Sequence, residues 1–319
     1  MASYLANRVL LFIPVLLAVS VVVFLVLRVI PGDVAVLRLT GTSGEGVVTP
    51  EALAQVRREL GTDRPLAEQY LSWVGSVLRL NGGASMRTGE PAFQVIATRL
   101  PVTLELATLS LLVALAISLP TGILSAIRQN TWMDYVFRVI SIGGLSMPTF
   151  WTAILLLLFF VYVLKWMPPL AYVAMGQDPG AHFLQIVWPA LILGYYMSAG
   201  VTRMTRSCML EVLRQDYVRT AWSKGLPERL VVLRHVVRNG LLPVVTIVGV
   251  QFGHLLGGSI IMETIFALPG MGINLIDSIR ERDYTMIQSI VLLLALWYLL
   301  INLMVDVLYA WLDPRVRYS

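Results

Sequence analysis

The chain has 319 residues, 57% of them hydrophobic and only 13% charged, with a mean hydropathy of +0.76 and a formal net charge of +5. A soluble domain carries about a quarter charged residues, so the composition argues against a soluble protein and for an integral membrane one. The single cysteine, Cys208, excludes an intrachain disulfide framework and a cysteine-rich metal site.

Six apolar segments reach the roughly 20 residues that a spanning helix needs. They lie at about 9–30, 101–127, 135–165, 184–206, 241–266 and 286–312. The first is longer than the apolar core of a secretory signal, about 7–15 residues, and no Ala-x-Ala-like site follows it. It is expected to be a retained anchor.

The long polar segment 31–99 balances seven arginines with seven acids. Thr49-Pro50-Glu51 is a helix start: a capping hydroxyl, a proline in the first turn and an acid near the positive end. Gly61 is its stop. A second start lies at Asp63-Arg64-Pro65, followed by Leu66, Tyr70, Trp73 and Val77 at helical spacing. Two short amphipathic helices are predicted outside the membrane. They cover the external end of the bundle, contact an external partner, or do both.

In the third span, Gly143-Gly144 and Pro148 predict a bend. Irregular backbone at membrane depth is tolerated only against protein or a cavity. Ser146-Met147-Pro148-Thr149-Phe150 is therefore read either as a passage lining, in which an adaptable Met147 suits varied solutes, or as a packing kink. The fifth span carries Gly249, Gly253 and Gly257 at four-residue spacing, a small-residue ridge for close packing within the chain or at a subunit seam. Glu105, Glu263 and Asp306 lie within or at the ends of spans, where ionisable residues are costly and suggest function. Glu263 precedes the Pro269-Gly270 turn.

Between spans four and five, residues 203–238 hold eight Lys/Arg against three acids, Glu211, Asp216 and Glu228. Basic bias in short loops marks the cytoplasmic side, so this loop and both termini are expected inside. The loop reads as two helices. The first ends near Lys224 with Gly225 as a left-handed stop, and Pro227 opens the second. Leu226, Leu230, Leu233 and Val237 then form an apolar face, with Arg229, Arg234 and Arg238 off it. Such a helix suits the grip of a cytosolic partner or a bed of anionic lipid.

No phosphate-binding Gly-x-x-x-x-Gly-Lys-Ser/Thr loop and no His-Glu-x-x-His is present, and His182, His235 and His254 have no ligand-like spacing. No catalytic residue, no metal site and no nucleic-acid partner is expected.

Arg219-Thr220-Ala221, three residues, then Gly225 resembles the Glu-Ala-Ala-x-x-x-Gly signature of permease subunits of ATP-binding-cassette (ABC) importers. The run from Arg203 to Leu226 is similar to the dipeptide/oligopeptide/nickel branch. The resemblance covers the whole chain: Ile30-Pro31-Gly32-Asp33, Leu100-Pro101 with Thr103-Leu104-Glu105-Leu106, Ser146-Met147-Pro148 with Phe150-Trp151, Glu263-Thr264-Ile265-Phe266 with Pro269-Gly270 and Gly272, Arg282-Asp283-Tyr284, and Asp313-Pro314-Arg315. Arg219-Thr220 replaces Glu-Ala, Val237-Arg238 stands in place of a downstream Leu-Pro, and Trp222 is bulkier than the branch usually has.

The resemblance implies an all-α membrane protein of six transmembrane helices. An extracytoplasmic helical segment follows the first, and a cytoplasmic coupling helix lies between the fourth and fifth. The divisions expected are an N-terminal anchor, 1–30, an extracytoplasmic segment, 31–99, and a permease core, 100–319, with a coupling loop at 207–240. The implied function is that of a non-catalytic permease subunit forming half of the pathway of an ATP-driven, binding-protein-dependent importer in a bacterial cytoplasmic (inner) membrane. Di- or oligopeptides are the expected cargo; nickel chelates, glutathione or another small solute are the alternative, and a proton-coupled secondary transporter the remote one. The partners implied are a second homologous permease (a heterodimer), two ATPase subunits that carry ATP and Mg, an extracytoplasmic substrate-binding protein and the lipid bilayer. No cofactor is expected on this chain. Coupling to the ATPases falls to Asp216, Arg219, Thr220, Ala221, Lys224, Gly225, Leu226 and Glu228. Met147, Pro148, Phe150, Glu263, Pro269 and Gly270 are candidates for the path or its gate.

Overall fold

The structure, a computed structural model, describes residues 8–29, 33–40, 48–169 and 171–312. Ile30, Pro31, Gly32 and the Asp313-Pro314-Arg315 motif lie outside the described residues. Every regular element among those described is helical, and the one extended pairing is an isolated bridge between Ala84 and Pro91. Four helices are long and apolar enough to cross a membrane: Arg8–Val29, Ala92–Ile127, Pro179–Leu213 and Tyr284–Leu308. Two bent pairs, Trp132–Ser146 with Thr149–Tyr162 and Glu228–Gly240 with Leu242–Leu255, raise the number to as many as six if each pair is one span.

In chain order the helices are α1 (Phe12–Val29), α2 (Val34–Thr40), α3 (Pro50–Leu60), α4 (Leu66–Leu78), α5 (Ala92–Ile127), α6 (Trp132–Ser146), α7 (Thr149–Tyr162) and α8 (Pro179–Leu213). They continue as α9 (Asp216–Ser223), α10 (Glu228–Val231), a π-helical turn (Val232–Val237), α11 (Arg238–Gly240), α12 (Leu242–Gly258), α13 (Ile260–Ile265), α14 (Met271–Arg280) and α15 (Tyr284–Leu312). They fall into two compact units.

One unit comprises Ala2–Val102 and Pro269–Leu299. Here α3 forms as its sequence predicts: the Thr49 hydroxyl accepts from the Ala52 amide at 3.2 Å, Pro50 opens the helix, and Gly61 closes it at φ +67°. Helix α4 starts without a side-chain cap. Trp73 is buried, Tyr70 and Val77 are half-buried, and Leu66 is exposed, so only part of the expected face is used. The Tyr70 hydroxyl meets the Ser20 hydroxyl at 2.8 Å, and its ring lies edge-on to Phe24, which holds α4 against α1. The sequence reading missed α2. Asp33 starts it by accepting from the Ala35 amide at 2.8 Å, and its other oxygen pairs with Arg57 of α3. Asp283 fixes the turn around Ser85 to the start of α15: it accepts from the amides of Met86 and Met286, each at 3.1 Å, and from the Ser85 hydroxyl.

The other unit comprises Thr103–Leu268 and the described chain from Leu300 on. Its α6 and α7 meet at 98°. The break is at Met147, which is extended (φ −111°, ψ 128°) because the ring of Pro148 disfavours helical backbone in the residue before it. Gly143 and Gly144 stay helical instead of bending. A Cβ on Gly144 would sit 3.2 Å from the Tyr195 carbonyl oxygen, so these glycines let α6 approach α8 closely. The Tyr195 hydroxyl closes the contact by donating to the Ile140 carbonyl at 2.7 Å. Helix α8 opens on Asp178, whose carboxylate accepts from the Gly180 and Ala181 amides. In the glycine ridge of α12, a Cβ on Gly249 would overlap Val305 of α15, which makes that position a packing site within this chain.

Candidate functional site

The basic loop folds as two helices about Gly225. Helix α9 ends at Ser223, Gly225 turns at φ +75° while its amide donates to the Trp222 carbonyl at 2.9 Å, and Pro227 precedes α10. The buried face is not the one that α-helical spacing predicts. Residues 232–237 wind as a π-helix, so Val231 and Val236, five apart, share a face. They pack with Val218, Ala221, Met209 and Ala126. Leu230 and Leu233 are exposed, and Leu226 is half-buried.

The segment therefore has an inner and an outer side. Ala221 belongs to the inner side, within the chain's own core. Asp216, Arg219, Thr220, Lys224, Gly225 and Glu228 are exposed, as are Tyr217 and Trp222. Together they make a mixed-charge surface with two aromatic rings and two leucines, a composition suited to a protein partner.

Beneath it lies an ion pair the sequence reading missed. Asp134, in the first turn of α6, is fully buried. Arg206 of α8 grips it with two bonds, Nε at 2.9 Å and Nη2 at 2.8 Å, and the Ser125 hydroxyl and Asn130 amide complete its shell. In sequence Asp134 falls just before the third apolar segment and Arg206 within a run of basic residues, so neither stood out; an acid placed to start a helix was the available signal.

The Glu105 carboxylate lies 2.8 Å from His182 Nε2, where it can accept the ring N–H, and His182 Nδ1 lies 2.9 Å from the Val173 carbonyl. Beside it, burial and the Glu105 charge push the Tyr172 phenol above its usual range. Glu263 is fully buried and accepts from the Thr103 hydroxyl at 2.7 Å and the Ser259 hydroxyl at 3.0 Å. Its carboxylate is thus built into helix packing. Asp306 is half-buried. In the other unit Pro269 is half-buried and Gly270 is buried at φ −89°, a backbone angle open to any residue.

A cavity of about 690 Å³ opens beside the α6–α7 break. Pro148, Phe150, Met197, Arg203, Gln251 and His254 are among its lining residues. Met147 is half exposed and is not on this wall. Arg203 also lines a second cavity, of about 330 Å³, with Arg138, Arg206 and four hydroxyl residues. Among the described residues no group of three or more His, Cys, Asp or Glu is placed to hold a metal ion.

Residues 118–318 match the family described as binding-protein-dependent transport system inner membrane component, and residues 1–107 match its N-terminal companion, the binding-protein-dependent transport system membrane component, N-terminal. A Brucella abortus (strain 2308) protein, assigned by inference as a peptide transport system permease, is 39% identical over 319 residues, covering 100% of both chains. The glutathione transport system permease proteins of Pectobacterium atrosepticum and Escherichia coli (strain K12) are 41% and 40% identical, again with 100% of each chain covered.

Proposed function

The chain belongs to the family of binding-protein-dependent transport system inner membrane components, and from that premise we propose that it is one of two homologous permease subunits lining the path of a peptide importer. The subunit itself is non-catalytic. ATP and Mg act on two partner ATPases, and an extracytoplasmic binding protein delivers the solute. The chain crosses the inner membrane six times, each bent pair counting as one span, with both termini and the α9–α10 loop in the cytoplasm. The divisions follow: anchor 1–30, external helical segment 31–99 and core 100–319.

The observation that carries this reading is the two-sided coupling segment. Its inner side is locked to α8 and α5 through Met209 and Ala126, so a push on the outer side reaches the spans. Asp216, Arg219, Thr220, Lys224, Gly225 and Glu228 meet the ATPase, while Ala221 and Leu226 transmit. Pro148 and Phe150 line the path, Met147 faces the second permease at the break, Glu263 braces its own unit's end of the path through Thr103 and Ser259, and Pro269 and Gly270 are gate candidates of the other unit.

Arg203 bears on the cargo. It lines the 690 Å³ cavity and forms no ion pair among the described residues. An arginine there suits a solute with a carboxylate, which peptides and glutathione possess. Nickel chelates remain the second reading.

The test is uptake into proteoliposomes holding this chain, its partner permease and both ATPases, supplied with loaded binding protein. Accumulation of labelled dipeptide that needs lumenal ATP supports the proposal. Uptake driven by a proton gradient with the ATPases absent overturns it in favour of a secondary transporter.

A further inference from the structure

A polar cavity of about 390 Å³ lies in the unit of Ala2–Val102 and Pro269–Leu299, and the import mechanism leaves it without a role. Its wall comes from α1, α2, the α3–α4 junction, α4, the turn 83–89 and the start of α15. Three arginines line it, Arg28, Arg38 and Arg64, against one acid, Glu59. Glu59 already accepts from Gln55 at 3.1 Å. None of the three arginines forms an ion pair among the described residues.

The wall also holds donors with nothing to donate to. Arg28 Nε, Trp73 Nε1 and Gln288 Nε2 are buried without a hydrogen-bond partner. Gln288 is 3% exposed and Trp73 6%. The one buried, unpartnered acceptor on the wall is Gln69 Oε1, whose amide nitrogen is spent on the Thr62 and Arg64 carbonyls. Buried polar groups are nearly always satisfied, and each orphan calls for an explanation. Arg38 and Arg64 are exposed and Arg28 is half-buried, so the wall combines orphan donors with positive charge, a set that an anion answers more fully than neutral water. Arg28 is also held in place, its guanidinium stacked over the Phe24 and Tyr284 rings at 5.0 and 5.2 Å.

We propose that this cavity binds a phosphate-type oxyanion, gripped by Arg28, Trp73 and Gln288 with Arg38 and Arg64 beside them. Guanidinium forks match phosphate oxygens two at a time. Arg28 stands in the last turn of α1, at the end of an apolar run, and Trp and Arg are residues that seek the level of lipid headgroups. The oxyanion is either the phosphodiester of a phospholipid headgroup or free phosphate. Bound, it ties α1, the external helices and α15 together.

The test uses the assembled importer, delipidated in uncharged detergent, and reads its thermal unfolding midpoint. Phosphatidylglycerol in mixed micelles is one probe; inorganic phosphate, against chloride of equal ionic strength, is the other. A saturable rise of a few degrees is expected from a ligand that binds only the folded state. If phosphatidylglycerol alone produces it, the source is the headgroup; if phosphate alone suffices, the source is the free ion. Trp73→Phe and Gln288→Leu delete a donor and keep bulk, so each should weaken the apparent affinity several-fold, and Arg28→Gln by about tenfold or more. No saturable rise from either probe, or the same affinity in Trp73→Phe and Gln288→Leu as in the wild type, overturns the proposal and leaves an ordinary water-filled cavity.

Discussion

Asp134 and Arg206 join α6 to α8 by two parallel hydrogen bonds, with the carboxylate fully buried. The pair stands one turn above Met209, which packs on the coupling segment. It therefore fixes α8, which packs on the α9–α10 segment through Met209, to α6, which ends at the break before Pro148. Removing one partner of a buried pair strands the other charge, at a cost of about 3–5 kcal/mol. Asp134→Asn should lower the unfolding midpoint of the complex markedly, and Arg206→Lys should not substitute, since an ammonium cannot make the double bond. The double variant Asp134→Leu with Arg206→Met should recover part of the loss. Additive losses in that cycle would show that the two residues are not coupled.

Gly225 carries the turn between α9 and α10. At φ +75° a Cβ costs roughly 1–2 kcal/mol. Nothing lies within 4 Å of a Cβ built there, so Gly225→Ala strains only the backbone. Gly225→Pro is more severe, because it forbids the angle and deletes the amide that donates to Trp222. Gly225→Ala should reduce uptake per ATP hydrolysed, and Gly225→Pro should abolish it while the protein still inserts. Normal stoichiometry in Gly225→Pro at normal expression would refute the coupling assignment.

Ala221 and Thr220 are neighbours with opposite surroundings. Ala221 is buried against Met209 and Val236 of its own chain, whereas Thr220 is exposed. Ala221→Asp places an unpaired charge in that core, so it should destabilise this subunit even when expressed without the ATPases. Thr220→Asp should leave the free subunit's unfolding midpoint unchanged and weaken co-purification with the ATPases. Equal behaviour of the two variants in the free subunit would contradict the inner and outer sides assigned here.

The coupling loop shows how far sequence reasoning reached. Gly225 and Pro227 are punctuation with a local cause, and the break fell where they stand. The apolar stripe survived only at its ends, Leu226 and Val237, which pack on the cluster, because the expectation of 3.6 residues per turn fails where Val232–Val237 relax into a π-helix and leave Leu230 and Leu233 exposed. The bend at Met147–Pro148 was likewise legible, since proline acts on its immediate neighbour. Asp134–Arg206 was not, being 72 residues apart in sequence and visible only after packing. The wall of donors around Arg28 has the same cause: Trp73 and Gln288 are ordinary in sequence, and their amide and indole groups become orphans only when brought together.

Sidedness has its own check. Residues 203–238 carry the eight-to-three basic excess, whereas 31–99 are balanced. In a Cys208→Ser background, Gly75→Cys should react with an impermeant thiol reagent added outside whole cells. A Cβ at Gly75 meets no atom within 4 Å, so the change fits. Glu228→Cys, at an exposed position, should react only after permeabilisation. The reverse pattern would invert the orientation and remove the basis for ATPase contact.

The path is tested by two methionines. Met197 lies on the wall of the 690 Å³ cavity and is buried; Met147 lies at the α6–α7 break and is half exposed on this chain. Tryptophan is bulkier and stiffer than methionine, which adapts its shape. Met197→Trp should therefore narrow the cavity at its wall and slow uptake, with the complex assembled and its ATPase still stimulated by loaded binding protein. Met147→Trp separates two roles. Because residue 147 is proposed to face the second permease, the pair of permeases should fail to co-purify; persistent assembly with uptake stopped would place it on the solute path instead. Normal uptake by Met197→Trp would show that residue 197 does not border a constriction on the route.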